Sequence, residues 1–168
     1  MPKTHAKLSP SAAERWIHCP GSVQLSEQCP EPESSAYADE GTLAHSVAEL
    51  KLRLAAGEIS LKDYSDHFAA CTDGGHYWCG EMDEATDYYK DIVLEKLAGA
   101  GKDAVLLVEQ RFSLEPWVPE GFGTSDAVIV GGDTIEVIDL KYGQGIRVSA
   151  EGNPQMSLYG LRGIPPTC

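Results

Sequence analysis

Residues 123–141 read GTSDAVIVGGDTIEVIDLK, two apolar runs rich in Val and Ile joined by Gly131-Gly132-Asp133. Short β-branched runs on either side of a Gly-Asp pair are the signal for a β-hairpin. Taking Gly132-Asp133 as the two-residue turn sets Gly131 across from Thr134, and the same register sets Asp126 across from Asp139. Side chains alternate along a strand, so Asp139 and Lys141 point to one face and Asp126 joins them. A turn at Gly131-Gly132 instead makes the two aspartates diagonal neighbours, still close enough to share one ion. Directly opposed carboxylates repel unless something positive lies between them. Such oxygen ligands suit Mg2+ or Mn2+, hard ions that orient a phosphate. A lysine beside them can stabilise developing negative charge or hold an attacking water. The ordinary alternative is a pair of strand-end acids with Lys141 as their surface counter-ion.

Outward from the hairpin, Ala104 to Phe112 reads as one more strand. It carries Glu109, a candidate further acid whose ordinary reading is a solvated strand glutamate. Downstream, Asn153-Pro154 caps a short helix that Gly163, Pro165 and Pro166 end. Gln155 and Tyr159 are four apart on it and share a face. Upstream, a helix from about Glu40 to Ala56 carries a stripe of Leu43, Val47, Leu50 and Leu54, with His45 in its first turns and Gly57 as terminator. A second helix spans about Glu81 to Ala98. Residues 58–80 between them have weak periodicity and read as an irregular connection. Ser9-Pro10 and a capping box from Ser11 to Glu14 start a short helix that stops at Cys19-Pro20-Gly21, and 26–39 reads as loop. The fold class expected is α/β of the α+β kind with a mixed sheet. It forms one domain over 1–168: N-terminal helix and loop in 1–39, a helical part with an acidic insertion in 40–100, and the strands and last helix in 101–168.

The 168 residues carry a net charge of −13, which argues against loose attraction to phosphate backbones. Residues 62–95 hold nine of the acids against two lysines, which reads as a solvated face. No apolar run is long enough to span a membrane and the N-terminus lacks the apolar core of a signal peptide, so a cytoplasmic protein with no membrane partner is expected. Five cysteines without a secretion signal read as thiols or metal ligands.

Residues 123–126 (GTSD), 136–141 (EVIDLK) and 155–159 (QMSLY) resemble successive motifs of the RecB-like branch of the PD-(D/E)XK nucleases. Residues 41–45 (GTLAH) resemble the histidine-bearing helix that precedes them, and Ser9-Pro10-Ser11 with Trp16 and Cys19-Pro20 resembles the N-terminal entry. The matches run in family order over nearly the whole chain, closest in flavour to uncharacterised nuclease-like proteins of phages and prophages. The resemblance implies a restriction-endonuclease-like αβββαβ core. It also implies metal ligands at His45, Asp126 and Asp139, with Mg2+ or Mn2+ as cofactor, and catalysis by Lys141 with Asp126 and Asp139. Gln155 and Tyr159 would contact the substrate. The activity it implies is metal-dependent hydrolysis of DNA, exonucleolytic ahead of endonucleolytic, with DNA and a recombination or helicase protein as partners.

Some RecB-like nucleases hold an iron–sulfur cluster with one cysteine before the core and three after it. Cys19 stands at the first position and Cys168 alone lies beyond the core, so an intact cluster is not expected; the ending at Cys168 reads as a truncated relative. His67 with Cys71 and His76 with Cys79 form a rival, zinc-binding spacing whose ordinary reading is scattered free thiols. A nuclease, a catalytically weak remnant that binds DNA or protein, and a zinc-stapled interaction module are the three classes left open.

Overall fold

The computed structural model describes residues 6–29, 34–73, 77–115, 117–143 and 148–163. A 3-10 turn at Pro10–Ala12 leads into α1 (Ala13–His18) and α2 (Gly21–Gln28), followed by α3 (Ala36–Ala55), α4 (Leu61–Thr72) and α5 (Gly80–Gly99). Strands β1 (Val105–Ser113), β2 (Phe122–Gly131) and β3 (Thr134–Ile138) form one antiparallel sheet in that order, and α6 (Pro154–Gly163) follows. This is an α+β fold. The final strand of an αβββαβ core would fall after Gly163, outside the described residues, and among the described residues the sheet has no parallel pair. Among the same residues no helix is long and apolar enough to cross a membrane.

The hairpin takes the first of the two registers. Gly131 pairs with Thr134 and Ala127 with Ile138, and Gly132 adopts a φ of +56°, open to glycine without strain. Helices α3 and α5 cover the sheet through Ala44, Ala48, Leu52, Met82, Tyr89 and Val93, which meet Val108, Ala127 and Ile129. A smaller cluster joins Ala13 of α1 to Leu114, Val118 and Leu158 of α6.

The helical half departs from the sequence reading in four places. Helix α3 starts at Ala36 because Ser35 caps it, its side chain accepting from Ala38 N at 3.2 Å. Its buried positions are Ala44, Val47, Ala48, Lys51 and Leu52, while Leu43, Leu50 and Leu54 are half-buried, since α4, α5 and β1 enclose it from several sides. Residues 61–72 form helix α4, set by a capping box between Ser60 and Asp63. It packs on α3; Tyr64 and Phe68 stack within it at 5.5 Å, and Phe68 meets Trp78 edge-on at 5.0 Å. Helix α2 occupies residues read as stop and loop. At the entry, Pro10 takes the first helical position after Ser9 as expected, but no side-chain cap forms there, nor does a box at Ser11.

The acidic segment is also more than a solvated face. Lys51 is buried, and its ammonium donates to Asp83 Oδ1 at 2.6 Å and lies 3.1 Å from Asp87 Oδ1. A charge buried to that degree is tolerated only with such partners.

Candidate metal centre

The site lies where both ladders of the sheet break. On one side of β2 the pairs run Val108 with Ala127 and Gln110 with Ser125, skipping Glu109 and Asp126. On the other they stop at Ala127 with Ile138. Asp126 alone among the β2 residues has no paired neighbour in either strand. Continuing both registers places Glu109, Asp126 and Asp139 in one row across the sheet. Adjacent acids across strands repel, so three in a row is an arrangement that a cation favours.

Backbone strain marks the same row. Glu109 holds a φ of +49°, the left-handed region that L side chains rarely enter. Strain of this kind costs on the order of 1–3 kcal/mol and collects at functional sites. Here it accompanies convergence: ligand atoms of His45, Glu109 and Asp126 lie within 4.8 Å of one another. His45 reaches the row from the third turn of α3, its Nδ1 3.0 Å from Asp126 Oδ1. The other Asp126 oxygen, Oδ2, accepts from Leu140 N at 2.7 Å, which ties the end of β3 to β2 after the ladder has ended.

Asp139 is 8% exposed. Gln155 Nε2 donates to its Oδ1 at 2.8 Å. Lys141 Nζ lies 2.5 Å from its Oδ2, so a charged partner already engages this buried oxygen. Gln155 Oε1 accepts weakly from the same ammonium at 3.4 Å. One glutamine thus orients both Asp139 and Lys141.

A cleft of about 330 Å3 runs over these groups, lined by His45, Asp126, Asp139, Lys141, Gln155 and Tyr159 together with Ser9, Pro10, Ser11 and residues 122–124. All six residues singled out from the sequence meet in it, brought from α3, β2, the end of β3 and α6. Its wall depends on Gly123, where an added Cβ would stand 2.6 Å from Pro10 Cγ and 3.1 Å from the Tyr159 hydroxyl. Tyr159 itself is buried, and its hydroxyl donates to Thr124 O at 2.5 Å. It holds α6 to β2, and Gln155 is engaged by Asp139 and Lys141. These two residues, expected to meet substrate, are therefore first of all parts of the cleft wall.

Charge in the site follows the same geometry. Burial raises Glu109 from its ordinary 4.5 to about 7, helped by Asp126 and Glu49. Burial likewise raises Asp139, opposed by Lys141, with Asp126 adding to the rise. The hydrogen bond that His45 donates to Asp126 raises the imidazole against the opposing effect of burial. The metal-free site therefore holds too much negative charge for its surroundings.

These shifts set a pH dependence. Glu109 takes up a proton on folding between about 4.5 and about 7, so stability rises as pH falls through that window. His45, raised, contributes stability that is full below its unfolded 6.5 and lost as pH climbs through its folded value. Asp63 and Asp87, lowered from 3.8, contribute in the opposite sense only at more acid pH. The melting temperature in EDTA is expected to fall as pH rises from about 5 to about 8, and Glu109→Gln to flatten that fall. A flat wild-type profile would contradict the buried charge at Glu109.

Residues 5–165 match the model of a family described as protein of unknown function, DUF2800. The chain belongs to the DUF2800 family. No solved structure matches it. In this DUF2800 protein the match takes in every element from the N-terminal turn to α6, and so the whole cleft.

The chemistry of the converging donors fits a hard divalent ion: one imidazole and the carboxylates of Glu109 and Asp126, with the Asp139 carboxylate lining the same cleft. Beside the expected set of His45, Asp126 and Asp139, Glu109 converges with His45 and Asp126, while Asp139 is paired with Lys141. The cysteines give no comparable group among the described residues. Cys19, Cys29 and Cys79 are exposed thiols, Cys71 is half-buried, and His67 turns its Nδ1 to Asp63 O of its own helix. Cys168 and His76 lie outside the described residues.

Proposed function

We propose that this protein is a divalent-metal-dependent deoxyribonuclease of the RecB-like PD-(D/E)XK kind. The supporting observation is the meeting, in one cleft, of His45, Asp126, Asp139 and Lys141 from three separate elements, on a row of carboxylates at a break in the sheet. His45, Glu109, Asp126 and Asp139 would hold Mg2+ or Mn2+, which supplies Lewis-acid polarisation of a phosphoryl oxygen and acidifies water.

The chain's own residues do the rest. Lys141, about half exposed, offers a positive charge to the non-bridging oxygens of the phosphoryl group as negative charge gathers on them, and its three N–H donors can also orient a water for attack. Gln155 keeps the ammonium aimed into the cleft and the Asp139 carboxylate in place. His45 and Asp126 share a hydrogen bond that fixes the imidazole. Ser9 and Ser11, on the buried-proline turn opposite, present hydroxyls that can hold a phosphate oxygen or a sugar.

The test is incubation of the purified protein with linear and circular, single- and double-stranded DNA in Mg2+, Mn2+ or EDTA. Cleavage that needs the metal is expected. Intact DNA under every condition would overturn the proposal, and resistance of circles alone would mark an exonuclease.

A further inference from the structure

An acidic chain that handles a polyanion must place its few free cations with care. Seven of the described lysines and arginines lie within ion-pair distance of a carboxylate. Arg15 donates to Ser22 O and Ser26 Oγ. Arg111 differs from all of these. Its guanidinium stacks over the Phe122 ring, 4.0 Å from the centroid, and its N–H groups meet no acceptor among the described residues. Arg111 is exposed.

Its place in the sheet gives this a meaning. Arg111 pairs with Thr124 across β1 and β2. Phe122, Thr124 and Asp126 all line the cleft. Phe122, whose ring carries the guanidinium, stands four residues from Asp126, about 13 Å along the strand, or about two steps along a sugar–phosphate backbone. Stacking on a ring fixes the plane of the guanidinium and leaves its edge donors free, the geometry that matches two oxygens of a phosphodiester. A side chain held in this way loses little freedom on binding.

We propose that Arg111, held on Phe122, binds a phosphodiester of the strand that is cleaved, outside the scissile position, forming a phosphate subsite at the rim of the cleft. The proposal rests on the nuclease reading for its substrate, a polynucleotide strand, but not for its contact. Lys102 provides the control. It is exposed, precedes β1 at the end of the sheet remote from Asp126, and carries the same charge.

The experiment uses two probes in Mn2+: a fluorescein-labelled oligothymidylate, and thymidine 5′-p-nitrophenyl phosphate, which has one phosphodiester and no neighbour. Arg111→Ala is expected to lower kcat/KM on the oligonucleotide relative to the small substrate by about tenfold, mostly through KM, the size of one charge-assisted contact. Oligonucleotide affinity, read by anisotropy in Ca2+, should lose about 0.7 from its log–log salt slope. Arg111→Lys should restore the slope while recovering only part of the affinity, and Lys102→Ala should leave both readouts unchanged. Equal losses on both probes, or an effect of Lys102→Ala as large as that of Arg111→Ala, would overturn the subsite. So would a wild type that binds no oligonucleotide. A wild type that binds through Arg111 yet cleaves neither probe would leave the subsite standing and remove the nuclease reading instead.

Discussion

Lys141→Ala is expected to reduce kcat for DNA cleavage by a factor on the order of 100 or more, with the fold intact. The side chain is half exposed and its contacts are Asp139 Oδ2 and Gln155 Oε1, neither of them part of the apolar core. Its removal takes away a charge that matters most when negative charge gathers on the phosphate, so kcat should fall more than KM rises. Melting curves matching the wild type would establish that the fold survives. Undiminished turnover by such a protein would sink the assignment of Lys141.

Asp139→Asn should produce two changes of opposite sign. Burial raises the Asp139 carboxyl, which means that the folded protein holds its charge at a disadvantage when no metal is present. An amide at that position still accepts from Gln155 and carries no charge, and Lys141 is exposed enough to be solvated alone. The variant in EDTA should therefore melt higher than the wild type. Metal binding to the folded state at a free concentration one hundred times Kd adds about 2.7 kcal/mol, several degrees in a domain of this size. With a ligand carboxylate gone, that Mn2+-induced rise should largely vanish. A variant that melts lower in EDTA, or keeps the Mn2+ shift, would show that Asp139 is not a carboxylate held for a cation.

The hairpin was legible because its turn has two residues, and a turn of that length sets the register of every pair that follows. Asp126 and Asp139 could thus be matched by counting. Glu109 could not, since the connection from Leu114 to Gly121 is long and no turn chemistry fixes how β1 slides against β2. The signal it did carry was an acid interrupting the apolar run of 104–108, which alternation alone reads as a solvent-facing position. Its left-handed backbone, the feature that sets it apart, has no sequence signature. Helix α4 was hidden for a different reason: its partners, α3 and Trp78, are set by helix packing that the sequence does not display. The pair Gln155 and Tyr159 was correctly placed on one helix, while their partners depend on how α6 meets the sheet. Lys51 illustrates the same limit, because its burial follows from helix packing that a charge pattern does not reveal.

The central claim is that this cleft cleaves phosphodiester bonds with a divalent ion held on the row of Glu109, Asp126 and Asp139. The most direct measurement is a time course of an end-labelled linear DNA with the purified wild type in Mn2+, repeated after EDTA and with Asp126→Ala, each protein checked for folding by its melting curve. Shortened products in Mn2+ that cease in EDTA and are absent with Asp126→Ala are the result predicted. Intact DNA throughout, from a wild type whose melting temperature rises with Mn2+, would contradict the claim, for the ion would then be bound without the chemistry.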